Sequence, residues 1–233
     1  PTIINPYGVM YNPASILHSI ERHCKTDDFT PDVAFITLGT NHVYILKETG
    51  EIVDNCNKRP QRLFREQELS IAACKDYLNR AIELLQERNH DVKIIFTVSP
   101  IRYAKYGYHE SQLSKAALLL SVHDVIGEHI DENVAYFPAY EIVNDELRDY
   151  RFYKADMLHP NEQAVEYIWE RLVDMYFSPS AKKFLHEWKP VKEAFAHRPF
   201  NPESSEYKNF MVKMRAHAKL LAQKYNGLII EDQ

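Results

Sequence analysis

Cysteine is rare in this chain: Cys24, Cys56 and Cys74 are the only three in 233 residues. Their odd number and the lack of C-x-x-C spacing argue against a disulfide framework or a zinc site. Reduced thiols in a reducing compartment are the simpler reading, and the cytoplasm is the expected one. Long apolar runs are missing too. The longest, AALLLSV at 116–122, falls well short of the roughly 18 residues that cross a bilayer, so no membrane partner is expected. A surplus of positive charge is also lacking. With 28 Lys and Arg against 33 Asp and Glu, the net charge of −5 gives a nucleic-acid role no electrostatic support. There is no repeat and no low-complexity tract. His42, His109 and His159 fall in no H-x-x-x-H or H-E-x-x-H pattern, so no metal or cofactor is called for. The chain opens Pro-Thr-Ile-Ile-Asn, with neither Met nor a charged leader, and the expectation is a natural protein that starts further upstream.

What is present is an ordinary globular balance, 45% apolar and 26% charged, long enough for one large domain or a domain with an appendage. The charge is uneven. Residues 178–233 hold ten Lys and Arg against six Asp and Glu, whereas residues 1–177 hold 18 against 27. This shift predicts a body over 1–177 and a distinct helical C-terminal extension over 178–233, packed on the same domain.

Within the body, Asn12 can cap and Pro13 can start a helix to about Cys24. VAFITLG (33–39) reads as a strand buried on both faces, and VKIIFTV (92–98) as a second buried strand. VYIL and EIVD, around Glu48-Thr49-Gly50, read as a hairpin. Residues 70–88 carry Ile71, Cys74, Leu78, Ala81 and Leu85 on one face of an amphipathic helix. A further helix over 110–130, a strand at VAYFP (134–138) and a short helix over 139–148 follow. Pro160 is placed to start a helix to about Phe177. Two helices, 180–196 and 204–225, flank the HRPFNPES loop. Strands alternating with helices predict an α/β fold whose parallel sheet is covered on both faces.

In such a sheet, ligands bind outside the carboxyl ends of the strands. Gly39-Thr40-Asn41-His42 leaves the first buried strand, Ser99-Pro100-Ile101-Arg102 leaves the second, and Asp156 to His159 fills the last loop before the helix. Asp156 could orient the His159 imidazole and leave its other nitrogen free to take a proton from a nucleophilic hydroxyl. Acid–His pairs are common at loop-to-helix junctions, and on spacing alone the commoner reading is that Asp156 caps the turn and His159 packs beside Pro160. Asn41 could aim its amide at a developing oxyanion, or serve as a turn residue. Gly8 could expose a backbone N–H, or simply turn the chain. Ser99 is the one serine directly after a buried strand. It could act as nucleophile without a G-x-S-x-G elbow, or cap the strand end. Arg102 could hold an anionic or hydroxyl-rich ligand, or pair with an acid such as Asp149.

Several blocks resemble a known family: NPYGVMYNPASI (5–16), FITLGTNHVY (35–44), VDNCNKRP (53–60), FTVSPIRY (96–103), SKAALL (114–119), YFPAYEIVNDELRDYRFYKADMLHP (136–160) and HRPFNP (197–202). Through them the chain is similar to the GSCFA-domain proteins, a branch of the SGNH-hydrolase-like superfamily. The resemblance implies a flavodoxin-like three-layer α/β/α sandwich with Ser-His-Asp hydrolase chemistry. It assigns the catalytic acid and base to Asp156 and His159, and oxyanion donors to Asn41 and the Gly8 N–H. His42 stands where the superfamily's G-x-N-D block has Asp; His42, Ser99 and Arg102 are substrate-pocket candidates. The Gly-Ser-Cys-Phe-Ala stretch that would carry the nucleophile does not occur in residues 1–233. The expectation is that it lies upstream, together with a first strand whose absence would leave a sheet neighbour unpaired and apolar surface open.

The resulting expectation is an esterase or deacylase acting on a small-molecule or carbohydrate ester. A non-catalytic glycan- or partner-binding module and an O-acyltransferase are the alternatives. Residues 1–233 alone are expected to be inactive as a serine esterase, and oligomeric state does not follow from them.

Overall fold

The computed structural model describes residues 12–26, 30–53, 56, 59–130 and 133–225. In chain order its main elements are α1 (Pro13–Thr26), β1 (Val33–Leu38), β2 (His42–Leu46), β3 (Ile52–Val53), β4 (Phe64–Glu68), α2 (Ile71–Arg88), β5 (Lys93–Val98), α3 (Tyr108–Glu128) and β6 (Val134–Tyr136). Then come α4 (Ala139–Glu141), α5 (Glu162–Tyr176), α6 (Pro179–Ala196) and α7 (Ser205–Lys224). Residue contacts divide the chain into two compact units, Pro1–Ile168 and Trp169–Gln233.

The first unit is an α/β fold built on a parallel sheet in the order β1-β5-β6. β1 and β5 pair over their whole length, from Val33 beside Lys93 to Leu38 beside Val98, so their carboxyl ends are level. Alternate residues of both strands, Ile36, Leu38, Ile94, Phe96 and Val98, join the core with Ala14, Leu17 and Ile20 of α1. Leu78, Ile82 and Leu85 of α2, and Leu118, Val122 and Val125 of α3, complete it. Each fully buried aliphatic or aromatic side chain of this kind contributes about 1.5–3 kcal/mol.

β5 is buried on both faces from Ile94 to Val98, whereas β1 departs from its expectation. Its second face is open, with Val33 54% and Phe35 44% exposed. Among the described residues β1 is paired on one edge only, and on that face the Phe35 ring meets that of Phe137 edge-on at 6.2 Å.

Ser70 caps α2 by accepting the Ala73 N–H. Ile71 lies outside the buried stripe and Ile82 inside it, which corrects the predicted face by one position. The predicted hairpin gains a third strand, because β2 pairs antiparallel with both β3 and β4. The segment expected as a helix over 139–148 is a single α-turn followed by a π-helical stretch, Ile142–Leu147, that ends on Arg148 in the left-handed region (φ 45°).

In the second unit, Val191 of α6 packs with Ala218 and Leu221 of α7, flanked by Trp188 and Tyr225. Among the described residues no helix is long and apolar enough to cross a membrane.

Candidate active site

Level strand ends put two loops side by side. The Ser99 N–H donates to the Leu38 carbonyl at 2.7 Å, which continues the β1–β5 ladder to the last residue of β1. Residues 39–41 and 99–102 therefore leave the same edge of the sheet.

The third loop is a hairpin-like excursion. Asn161 N–H donates to the Phe152 carbonyl at 2.8 Å, Tyr153 and Pro160 form an antiparallel bridge, and Lys154 N–H donates to the His159 carbonyl at 2.8 Å. Residues 155–158 are left at its tip. Pro160 is thus part of the bridge and not the first residue of α5. Asn161 caps that helix, its Oδ1 accepting the Ala164 N–H at 3.0 Å. The bridge fixes Pro160 in extended pairing, and the Asn side chain satisfies an N–H that proline cannot.

Asp156 uses both carboxylate oxygens. Oδ1 accepts the N–H groups of Leu158 (2.9 Å) and His159 (3.0 Å), while Oδ2 lies 2.6 Å from His159 Nδ1. The cap and the orienter are therefore one residue doing two jobs. The backbone N–H of His159, then that of Leu158, then the imidazole hold the Asp156 carboxyl down at about 2. With a carboxylate facing Nδ1, that nitrogen carries the proton and Nε2 remains an acceptor. Among the described residues Nε2 makes no hydrogen bond, and the side chains of His159 and Asp156 are 51% and 43% exposed.

The stabilisation that ionised Asp156 gives this loop is complete above its unfolded value near 3.9 and is lost as pH falls through about 2. A carboxyl-carbon NMR titration should find Asp156 ionised at pH 3.5. A midpoint near 4 would show that the backbone bonds are not made.

Arg102 ties this loop to the sheet edge. Its N–H donates to the Leu158 carbonyl and its Nη1 to the Met157 carbonyl, both at 3.2 Å. Its guanidinium lies 4.1 Å from the Tyr108 ring centre, with Tyr150 and Tyr153 further out at 5.6 and 5.9 Å. Asp149, the acid considered for it, instead caps a short turn by accepting the Arg151 N–H at 2.8 Å. Met157 sits at φ 60°, a left-handed conformation that Arg102 braces. Arg102→Ala should lower stability by about 1–2 kcal/mol through the lost charged hydrogen bond and ring stacking. Arg102→Lys should fail to restore it, because a point charge cannot stack as a planar fork does. Unchanged urea midpoints in both would refute the bracing role.

The remaining sequence candidates lie around this edge in different states. Asn41 is buried; its N–H donates to Ser114 Oγ (3.0 Å) and its Nδ2 to the Leu69 carbonyl (2.9 Å), leaving one amide hydrogen uncommitted. His42 is also buried, its ring stacked at 3.7 Å on Tyr106. Burial lowers its pKa against the pull of Glu68, whose carboxylate is 3.9 Å from Nε2. That makes His42 a packed ring between sheet and loop. Ser99 Oγ accepts the Ile101 N–H at 3.3 Å, in the manner of a strand-end cap. Gly8 lies outside the described residues.

Residues 26–172 match the GSCFA family, and residues 188–232 match the family described as "GSCFA domain protein, C-terminal domain". The chain belongs to the GSCFA family. Among solved structures, this GSCFA chain is similar to the crystal structure of a carbohydrate esterase family 3 from Talaromyces cellulolyticus. The TM-score is 0.44 at 13% identity, covering 69% of this chain and 64% of that one. No curated protein matches it in sequence.

Two residues of the GSCFA chain that sequence reasoning missed stand behind the first loop. Ser114 and Lys115 of α3 are both buried, and Lys115 Nζ donates to the Gly39 carbonyl. Both lie on the stripe that Leu118, Val122 and Val125 continue at helical spacing, but serine and lysine on a helix read as solvent-facing from sequence.

Proposed function

We propose that this protein is a serine-type carboxylic-ester hydrolase that removes an acyl group from a small acylated metabolite or carbohydrate. The observation that carries the reading is the Asp156–His159 pair. It is oriented by a 2.6 Å contact, has an Nε2 with no hydrogen bond among the described residues on a half-exposed ring, and stands at the carboxyl edge of a parallel sheet.

The nucleophilic serine belongs to the family's Gly-Ser-Cys-Phe-Ala segment, which is not in residues 1–233. As its oxygen attacks the ester carbonyl, His159 Nε2 takes the hydroxyl proton. Ionised Asp156 stabilises the imidazolium, and the uncommitted Asn41 amide hydrogen is the donor available to the oxyanion. Collapse of the tetrahedral species breaks the bond to the leaving alcohol, which receives the proton from His159. Water, deprotonated by the same nitrogen, then releases the acid and restores the serine. Arg102, by gripping Leu158 and Met157, sets where the imidazole stands.

A chain that carries the Gly-Ser-Cys-Phe-Ala segment ahead of these residues, given an acetylated sugar and an acceptor sugar, should release free acid in a His159-dependent manner. Transfer of the acyl group to the acceptor would replace hydrolysis with O-acyl transfer. Binding without turnover would replace both with a binding module.

A further inference from the structure

Three buried polar side chains of α3 face the strand-end loops, where an apolar stripe would otherwise continue. Ser111 Oγ accepts the Tyr103 N–H at 3.2 Å in the loop after β5. One turn on, Ser114 Oγ accepts the Asn41 N–H at 3.0 Å and lies 3.2 Å from Thr40 Oγ1. Thr40 Oγ1 in turn accepts the His42 N–H at 3.1 Å. Lys115, only 2% exposed, donates to the Gly39 carbonyl, and its Nζ lies 5.3 Å from the centre of the Tyr103 ring. The spacing i, i+3, i+4 puts these groups on one side of the helix.

A lysine amine in such a place has a high desolvation cost, and burial alone lowers its pKa to about 7. A methionine would fill the same space without that cost. What lysine adds is a donor that reaches the carbonyl of the residue leaving β1.

We infer that Ser114 and Lys115 are positioning residues that fix the 39–41 loop, and with it the Asn41 amide, at the carboxyl edge of the sheet. Three consecutive residues of the loop are held from one helix: Gly39 by its carbonyl, Thr40 by its hydroxyl and Asn41 by its N–H. Asn41 is then clamped from the other side by Leu69, whose carbonyl takes the amide Nδ2 and whose N–H donates to the Asn41 carbonyl at 2.9 Å. A residue pinned at its backbone N–H, its carbonyl and its Nδ2, with Oδ1 buried and unpartnered, has little freedom left to move away from a developing charge, which is the preorganisation that acyl-transfer sites need. The role assigned to Asn41 rests on the esterase reading; the holding of the loop does not.

The test compares Lys115→Met, Lys115→Gln and Ser114→Ala with wild type, by amide hydrogen exchange and, in a chain that carries the Gly-Ser-Cys-Phe-Ala segment, by ester kinetics. Lys115→Met and Ser114→Ala should each speed exchange at Asn41 and His42 by about tenfold, the effect of one ordinary hydrogen bond, with α2 amides unchanged. Lys115→Gln, which keeps an N–H donor, should recover much of that protection. Turnover should fall about tenfold in kcat with KM unchanged. Unchanged exchange at 39–42, or faster exchange spread evenly over both loop and α2, would overturn the assignment. Local loss of protection in a chain that hydrolyses no ester would support the positioning role and remove the esterase reading.

Discussion

Replacing His159 with alanine should lower ester turnover, in a chain that carries the Gly-Ser-Cys-Phe-Ala segment, about 10⁴-fold, with the fold intact. The size follows from the two tasks the imidazole performs, proton removal from the nucleophile and proton delivery to the leaving group, for which no neighbour substitutes. Fold integrity follows from where the ring lies: its side chain is half exposed, and its one hydrogen bond among the described residues is to Asp156. The His159 backbone, which does hold the loop, is unaffected by the change.

Asp156→Asn should approach the same loss by a different route. An amide can still accept the Leu158 and His159 N–H groups through its oxygen, so the turn survives. Its nitrogen, however, then donates to Nδ1 and places the imidazole proton on Nε2, the wrong side for a base. Stopped-flow or steady-state assays on a chromogenic acetyl ester, with circular dichroism as the check on folding, separate these outcomes. Equal rates in wild type and His159→Ala would sink the reading.

The second large effect concerns stability and not turnover. Lys115→Met should abolish a rise in stability with pH that wild type shows between about pH 7 and 10.5. In that window the unfolded chain holds the lysine proton and the folded chain has released it, so unfolding takes up a proton. Wild-type stability therefore gains up to about 1.4 kcal/mol per pH unit from this group. Below pH 7 the folded amine is charged and its burial cost is felt in full; above 10.5 the difference is gone. Methionine carries no such linkage. Urea midpoints of both proteins at pH 6, 8 and 10 should converge in slope only outside the window. Parallel curves throughout would show that Lys115 keeps its charge when buried, through a partner other than the Gly39 carbonyl.

The strands and long helices were legible because their apolar residues recur at simple periods. VAFITL and KIIFTV are near-continuous apolar runs, and Cys74, Leu78, Ala81 and Leu85 keep one helical face. β4 was hidden because its sequence, FREQE, buries only Phe64 and leaves four polar residues in water, so pairing to β2 is its main reason to be a strand. The polar stripe of α3 was hidden for the opposite reason. Serine and lysine read as solvent-facing until a loop is known to pass over them. Single-strand patterns cannot report how much of a face is covered, so β1 was read as doubly buried while Phe35 is open. At the site, spacing left Asp156 and His159 open between a helix cap and an acid–base pair, and the family resemblance singled them out. That one carboxylate both caps the turn and orients the ring depends on Oδ1 and Oδ2 pointing to different groups, which no spacing encodes.

Met157 carries a consequence for how this site comes into being. A left-handed residue with a long side chain costs about 1–2 kcal/mol, where glycine or asparagine would cost less. The turn is therefore not specified by its own segment alone, although Asp156 Oδ1 takes the Leu158 and His159 N–H groups from within it. It persists because Arg102, 55 residues earlier in sequence, grips the Met157 carbonyl and the neighbouring Leu158 carbonyl from outside. The Asp156–His159 contact therefore rests on two distant parts of the chain, its own loop and the loop that leaves β5.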